Sequence, residues 1–233
     1  MAPLDPKLLD TLRKYDTPTI CNGLEIVVPH RRATGFTTLP MVSCNPALPP
    51  IIGYARTVTI RAVDPSALPA MEAKDKRIAY YEYVASAPGP TIPVLQDIDP
   101  VPGFGAFWGE VQTNVHKGLG CPGAITNGSI RDLDVLAEGF HLIGGEVGPS
   151  HAHVHVDEFG KPVNLFGMAV KHGDLVHADR HGAVVIPLEA AEGLPAAIGK
   201  IEKKERLILD AARGPNFSVD ALRKAMAAGE DIH

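Results

Sequence analysis

The chain has 233 residues, 45% of them hydrophobic, 21% charged and 6% aromatic, which is enough apolar material for a core and too little charge bias for global disorder. Its formal net charge is −5, and no run of Lys and Arg is long enough to track a phosphate backbone, so nucleic acid is not an expected partner. Cys21, Cys44 and Cys121 are widely spaced and form no CxxC pair, which argues against a disulfide framework or a zinc knuckle and fits a reducing compartment. The opening residues, MAPLDPKLLDTLRKYD, lack the apolar core of a secretion signal, and no later segment approaches the run of about 18 apolar residues that a membrane span needs. A cytoplasmic protein is expected, with no membrane partner. Leu8, Leu9, Leu12 and Tyr15 at 3/4 spacing after Asp5-Pro6 predict a helix over 5–15, and a second short helix follows Thr17-Pro18. Residues 29–50, rich in Pro, Thr and Arg, read as loop with a short strand. Alternating β-branched residues predict a strand over 53–62, helical spacing covers 74–85, and 90–98 holds a short buried strand. A helix over 107–117, a buried strand over 123–126, a helix over 132–138 and a strand over 141–147 come next. Short strands with Gly-centred turns fill 160–187 in an antiparallel pattern, and helices over 188–211 and 219–228 close the chain. No repeat is visible. Mixed α and β of this order suggests a three-layer sandwich, with residues 1–233 forming one domain that carries helical extensions at both ends.

The strongest chemical signal is Gly123-Ala124-Ile125-Thr126-Asn127-Gly128-Ser129-Ile130-Arg131-Asp132, an apolar strand that turns at Asn-Gly and ends in adjacent Arg and Asp. Ligands of α/β folds collect at the carboxyl ends of strands. There Arg131 can grip a carboxylate with its planar fork, and Asp132 can hold a divalent cation. The alternative reading has Asp132 capping the predicted helix and Arg131 paired with a surface carboxylate. Gly109-Glu110-Val111-Gln112 lies at a predicted helix start, with twenty residues between Glu110 and Arg131.

This spacing resembles the RraA-like family, which includes the 4-hydroxy-4-methyl-2-oxoglutarate aldolases, whose signature is an acidic residue after Gly at a helix start, twenty residues, then Arg-Asp. The segment from Lys171 through His177, Ala178, Asp179 and Gly182 to Pro187 is similar to the family's Pro-Gly-Asp, Ala-Asp and Gly-Val-Val-Pro stretch, and Asp16-Thr17-Pro18-Thr19-Ile20 to its opening turn. The resemblance implies a β/β/α swivelling-domain sandwich assembled as a homotrimer or homohexamer, with a Mg²⁺ or Mn²⁺ site near the subunit interface. It implies Asp132 as metal ligand, Arg131 on the substrate's carboxylate and keto oxygen, and backbone N–H groups of Gly109, Glu110, Val111 and Gln112 on the same carboxylate. Glu110 would act through metal-bound water. An acidic residue on the last long helix would reach the neighbouring subunit's site, with Glu205 the first choice and Glu202 the second. Glu110 stands where the characterised aldolases carry Asp, and Asn22 where many relatives do. The family also contains regulators of an endoribonuclease that lack the acidic residue.

Cleavage of a carbon–carbon bond β to a ketone, or loss of CO₂ from a β-keto acid, builds an enolate whose oxygen a cation and Arg131 can stabilise. The expected activity is a divalent-metal-dependent class II lyase, either an aldolase releasing pyruvate from a small 4-hydroxy-2-oxo acid or an oxaloacetate decarboxylase. Lys117 and Cys121 are not expected to be catalytic. His151, His153 and His155 alternate in a pattern that, on a strand, projects three rings from one face, which suggests either a polar cleft wall or a metal hydrolase centre with Asp157. His177 and His181 read as surface or interface residues, Asp174 and Asp179 as turn residues, and Phe107-Trp108 as a packed wall behind the Gly109 loop.

Overall fold

Asp5 and Asp16 open the first two helices by accepting N–H bonds in the first turn, from Lys7 at 2.9 Å and from Thr19 at 2.9 Å. The structure, a computed structural model, describes residues 3–230. Helix α1 (Pro6–Leu12) stops short of the expected Tyr15, and α2 spans Thr17–Val27. After a 3₁₀ turn and the short strand β1 (Val42–Ser43), the chain enters β2 (Ile51–Arg61), whose first ten residues are all shielded from solvent or nearly so. Two βαβ crossovers follow: α3 (Ala70–Ala85) leads to β3 (Thr91–Asp97), and α4 (Glu110–Gly118) leads to β4 (Gly123–Thr126). Short strands then alternate with turns as β5 (Ser129–Ile130), β6 (His141–Gly144), β7 (Glu146–Val147), β8 (His155–Phe159), β9 (Val163–Leu165), β10 (Met168–Val170), β11 (Leu175–Asp179) and β12 (Gly182–Ile186). Helices α5 (Leu194–Arg213) and α6 (Val219–Glu230) close the chain as a packed pair.

The main sheet runs β1-β6-β4-β3-β2-β11-β12. Strands β2, β3, β4 and β6 are parallel, β11 and β12 antiparallel, and β8 joins the far end of β2 on the edge that β11 uses at its start. Alternation along β2 explains the layering. Ile51 and Ala55 meet Val163, Leu165, Met168 and Val170 of the β9–β10 hairpin, which forms the second β layer. Ile52 and Tyr54 pack against Leu9, Leu12, Ile20, Leu24, Leu194 and Ile198, and Val58 and Ile60 against Tyr80 and Val84, so the helices cover the opposite face. The result is the expected β/β/α sandwich. A Cβ on Gly23 would lie 2.9 Å from Ile198 Cγ1, so only glycine lets α2 sit this close to α5.

Several expectations fail locally: the strand expected over 141–147 splits into β6 and β7 in different sheets, and residues 188–193 form a 3₁₀ turn ahead of α5. Residues 132–138 form no α-helix, only a 3₁₀ turn over Leu133–Val135, because Asp132 adopts the left-handed conformation (φ 58°, ψ 39°), which interrupts a right-handed helix and which Asp tolerates better than most residues. The helix expected from Phe107 begins at Glu110, since Trp108 makes a parallel bridge to Ile130. His151 and His153 lie outside any strand, with Ala152 between them at φ 45°, and only His155 enters β8, so the three rings do not alternate along one strand face.

Candidate active site

The carboxyl ends of β3 and β4 are tied together by Asn127, whose amide accepts from Asp97 N (2.7 Å) and donates to Asp97 O (3.0 Å). The Asp97 carboxylate, pushed up in pKa by burial, accepts the N–H groups of Asp99 (3.0 Å) and Gly103 (2.8 Å), which holds the loop that returns toward α4. Asp99 in turn accepts from Ala62 N (2.6 Å) and Val63 N (3.0 Å) at the end of β2. None of these three side chains was singled out by the sequence reading; only the Asn-Gly turn hinted at Asn127. They are positioning residues.

That scaffold brings Arg131 and Asp132 against the start of α4. Arg131 N donates to Trp108 O (3.0 Å), and a Cβ on Gly109 would fall 2.4 Å from Asp132 Oδ2 and 3.2 Å from Arg131 Cγ. Space rather than backbone conformation therefore favours glycine there, since a Cβ would push the Asp132 carboxylate aside. Asp132 Oδ2 accepts from Glu110 N (3.2 Å) and lies 3.5 Å from Arg131 Nε, so it caps α4 across the chain rather than the helix expected after it. Both contacts fall on Oδ2; among the described residues Oδ1 accepts no hydrogen bond. Arg131 and Asp132 are each about one-third exposed, leaving both open to a ligand. The first N–H groups of α4 have no partner inside the helix and face its entry.

Behind this turn Trp108 and His116 are fully buried and Phe107 nearly so, as expected of a wall. Tyr80 Oη lies 2.8 Å from His116 Nε2, while His116 Nδ1 lies 2.7 Å from Gln112 O. Burial lowers the His116 pKa to about 4, so the ring is neutral, donating from Nδ1 and accepting at Nε2.

In front lies a cleft of about 520 Å³. Gly109, Val111, Gln112, Arg131 and Asp132 line it together with Lys74, Lys76 and Arg77 of α3, Phe107, and His151, His153 and His155. The Glu110 side chain is exposed and does not line this cleft, and Glu202 and Glu205 sit on the exposed part of α5, away from it in the same chain. His151 Nδ1 and His155 Nδ1 each approach a backbone oxygen, Ala152 O at 2.7 Å and His153 O at 2.8 Å. Among the described residues no three His, Cys, Asp or Glu side chains converge as a metal cluster, so the polar-wall reading of the histidines is the one the geometry supports.

Other candidates resolve into architecture. His177 is wholly buried rather than at the surface, and Asp179 ends a strand rather than occupying a turn. Asp179 accepts from Thr17 N (2.9 Å) and His181 N (2.8 Å), and His177 Nδ1 meets Thr17 Oγ1 at 3.0 Å, locking α2 onto β11. Burial would raise the Asp179 pKa, but these donors hold it below the usual carboxylate range. Lys117 donates to Glu138 O (2.6 Å), and burial pushes the Cys121 thiol up to about 11, consistent with no catalytic part for either.

The fold defines a mixed α/β protein with a cleft beside the loops that follow its parallel strands. The family model described as RraA-like, Aldolase/RraA, matches residues 17–185, and the chain belongs to that family. No curated protein matches. Among solved structures, an uncharacterized protein from Pseudomonas syringae pv. tomato shares the fold at TM-score 0.71 and 20% identity, over 97% of this chain and 99% of that one. Streptomyces coelicolor RraAS2, described as an unusual member of the RNase ES inhibitor RraA protein family, aligns at TM-score 0.67 and 22% identity over 92% and 100% of the two chains. The RNA-processing inhibitor RraA from Thermus thermophilis aligns at TM-score 0.50 and 18% identity, over 70% of this chain and 90% of that one.

Proposed function

We propose that this cleft is the active site of a divalent-metal-dependent class II lyase that cleaves a small 4-hydroxy-2-oxo acid to pyruvate, decarboxylates oxaloacetate, or does both through the same pyruvate enolate. The observation that carries the reading is the Arg131-Asp132 pair set against Gly109 and the start of α4 at the mouth of a cleft. A single open carboxylate, with Oδ1 uncommitted, suits a hard cation that keeps most of its ligands as water, Mg²⁺ or Mn²⁺, and does not suit zinc. Asp132 would hold that ion, which supplies electrophilic stabilisation of the enolate oxygen.

The chain's own groups do the remaining work. Arg131 binds the substrate carboxylate and keto oxygen and meets the charge that develops on the latter. The N–H groups of Val111 and Gln112 point along the α4 axis toward the same carboxylate. Glu110, displaced from the cleft wall, reaches the 4-hydroxyl through a water and accepts its proton as the C3–C4 bond breaks. Glu205, or Glu202, would enter from a neighbouring protomer of a trimer or hexamer.

Pyruvate release from a panel of 4-hydroxy-2-oxo acids and from oxaloacetate, with Mg²⁺ and with EDTA, tests the reading. Release that EDTA abolishes and Mg²⁺ or Mn²⁺ restores is the expected result. Full activity in chelator removes the metal, and no release from any substrate leaves a binding role of the kind named for the ribonuclease inhibitors.

A further inference from the structure

Glu110 does not line the cleft, so the lyase reading leaves C3, the carbon that must be reprotonated after the bond breaks, without a protein acid. Of the titratable side chains that do line the cleft, Arg131 and Asp132 are given to substrate and cation. Helix α3 adds only lysine and arginine, residue types that hold their protons too tightly at neutral pH to release them readily. Histidine is the side chain that gains and loses a proton near pH 7, and His151, His153 and His155 line the same space. Their rings are not equivalent. His155 Nδ1 lies 2.8 Å from His153 O, and a carbonyl oxygen can only accept, so Nδ1 carries a proton and the ring gains or loses its other proton at Nε2. His151 Nδ1 is tied in the same way to Ala152 O at 2.7 Å, whereas among the described residues the His153 ring makes no hydrogen bond. Only His155 also stands on a strand. It is half-buried in β8 and paired with Arg61 of β2, and its neighbour Val156 is buried in the core, while His151 and His153 are exposed.

We propose that His155, through Nε2, is the catalytic acid that protonates C3 of the enolate. The inference rests on the lyase reading for where that enolate forms. As the C3–C4 bond breaks, its electron pair passes through C3 and C2 to the keto oxygen, and the 4-hydroxyl, losing its proton, becomes the carbonyl of the departing fragment. When the C2 carbonyl re-forms, the pair between C2 and C3 takes the proton of the His155 imidazolium, giving the methyl group of pyruvate and a neutral imidazole. The proton lost by the 4-hydroxyl reaches solvent, which restores the imidazolium, so the aldol cleavage consumes no net proton. Loss of CO₂ from oxaloacetate leaves the same enolate, and there the proton comes from solvent by way of the ring. In reverse, the neutral ring removes a proton from the methyl group of bound pyruvate.

That reverse step gives the test: exchange of the pyruvate methyl hydrogens for deuterium in D₂O with Mg²⁺, followed by proton NMR on the full chain, beside pyruvate affinity measured by calorimetry. The native protein should exchange them faster than Mg²⁺ alone. His155→Gln keeps a hydrogen-bonding side chain without a titrating nitrogen, and it should slow exchange at least about tenfold while leaving pyruvate affinity within about twofold. His151→Gln and His153→Gln should exchange as the native protein does. His155→Ala should regain exchange when imidazole is added, which a purely structural role for the ring does not allow. Exchange that the native protein does not accelerate, that is indifferent to His155→Gln in a folded variant, or that is lost in His151→Gln instead, overturns the assignment. Loss of exchange and pyruvate affinity together, with no recovery in imidazole, overturns it too. If exchange depends on His155 but no substrate releases pyruvate, the inference stands and the lyase reading falls. Pyruvate release with exchange untouched by His155→Gln keeps the lyase and removes His155 from it.

Discussion

Gly109 is the residue whose replacement tests the geometry most directly. A methyl group there would meet Asp132 Oδ2 at 2.4 Å, and the flanking backbone, tied by Arg131 N to Trp108 O, has little room to yield. Gly109→Ala should displace the Asp132 carboxylate and lower kcat/KM by at least about tenfold, while circular dichroism and the unfolding midpoint stay near those of the native protein. Arg131→Lys keeps the charge and removes the planar fork; it should cost about 2–4 kcal/mol in kcat/KM if Arg131 meets carboxylate and enolate together. Near-native kinetics in a folded variant would leave Arg131 as the partner of Asp132 and nothing more. Glu110→Gln retains size and hydrogen bonding but not the proton acceptor, so aldol cleavage should fall roughly 10²–10⁴-fold and decarboxylation, which needs no hydroxyl deprotonation, much less. Equal losses in both reactions would assign Glu110 to binding. Glu110→Asp restores the acid of the characterised aldolases, and a rise in aldolase activity would show that the extra methylene sets substrate range.

At the scale of elements, two buried histidines hold helices in place and make the fold sensitive to mild acid. His116 joins α4 to Tyr80 of α3, His177 joins β11 to Thr17 of α2, and burial lowers both from the ordinary 6.5 to about 4. The unfolded chain therefore binds more protons than the folded one between those values, and stability falls as pH drops through 6.5 toward 4. Linkage gives a loss of about 2 kcal/mol per histidine between pH 7 and pH 5. Urea unfolding at the two pH values should show it, and His116→Gln or His177→Gln should flatten the slope while lowering stability at pH 7. A slope unchanged by either substitution would place the acid sensitivity elsewhere.

At the scale of the molecule, the segments that carry the site also expose large apolar side chains. Val101, Phe104, Val111 and Val147 are 73%, 61%, 70% and 54% exposed, and Leu133 and Val135 stand in the turn after Asp132. Exposed apolar surface of this kind marks contact faces. Light scattering should give a trimer or hexamer, and Glu205→Ala should impair catalysis without dissociating it. A fully active monomer would remove Glu205 and Glu202 from the site. No described helix is long and apolar enough to cross a membrane.

Local pattern was sufficient for most elements of this chain. The alternation of 53–62, the Gly-centred turns of 160–187 and the Asp-Pro and Asp-Thr-Pro helix starts act over a few residues, through side-chain periodicity, caps and turn conformations, and all reappear in the structure. Gly109, Glu110, Arg131 and Asp132 stood out through their resemblance to the RraA-like pattern, and the structure sets Asp132 against the start of α4 at Glu110. What sequence could not supply was the meaning of contacts between distant segments. Asp97 and Asn127, 30 residues apart, close the strand ends around the site; Thr17 and His177, 160 apart, meet in the core; Lys74 and His155 face one cleft. Such pairs carry no local period, so Asp179 passed for a turn residue and the histidines of 151–155 for a strand face. The left-handed turn at Asp132 belongs here too: its carboxylate is needed at the start of α4, and that tertiary demand outweighs the helical pattern of the residues that follow.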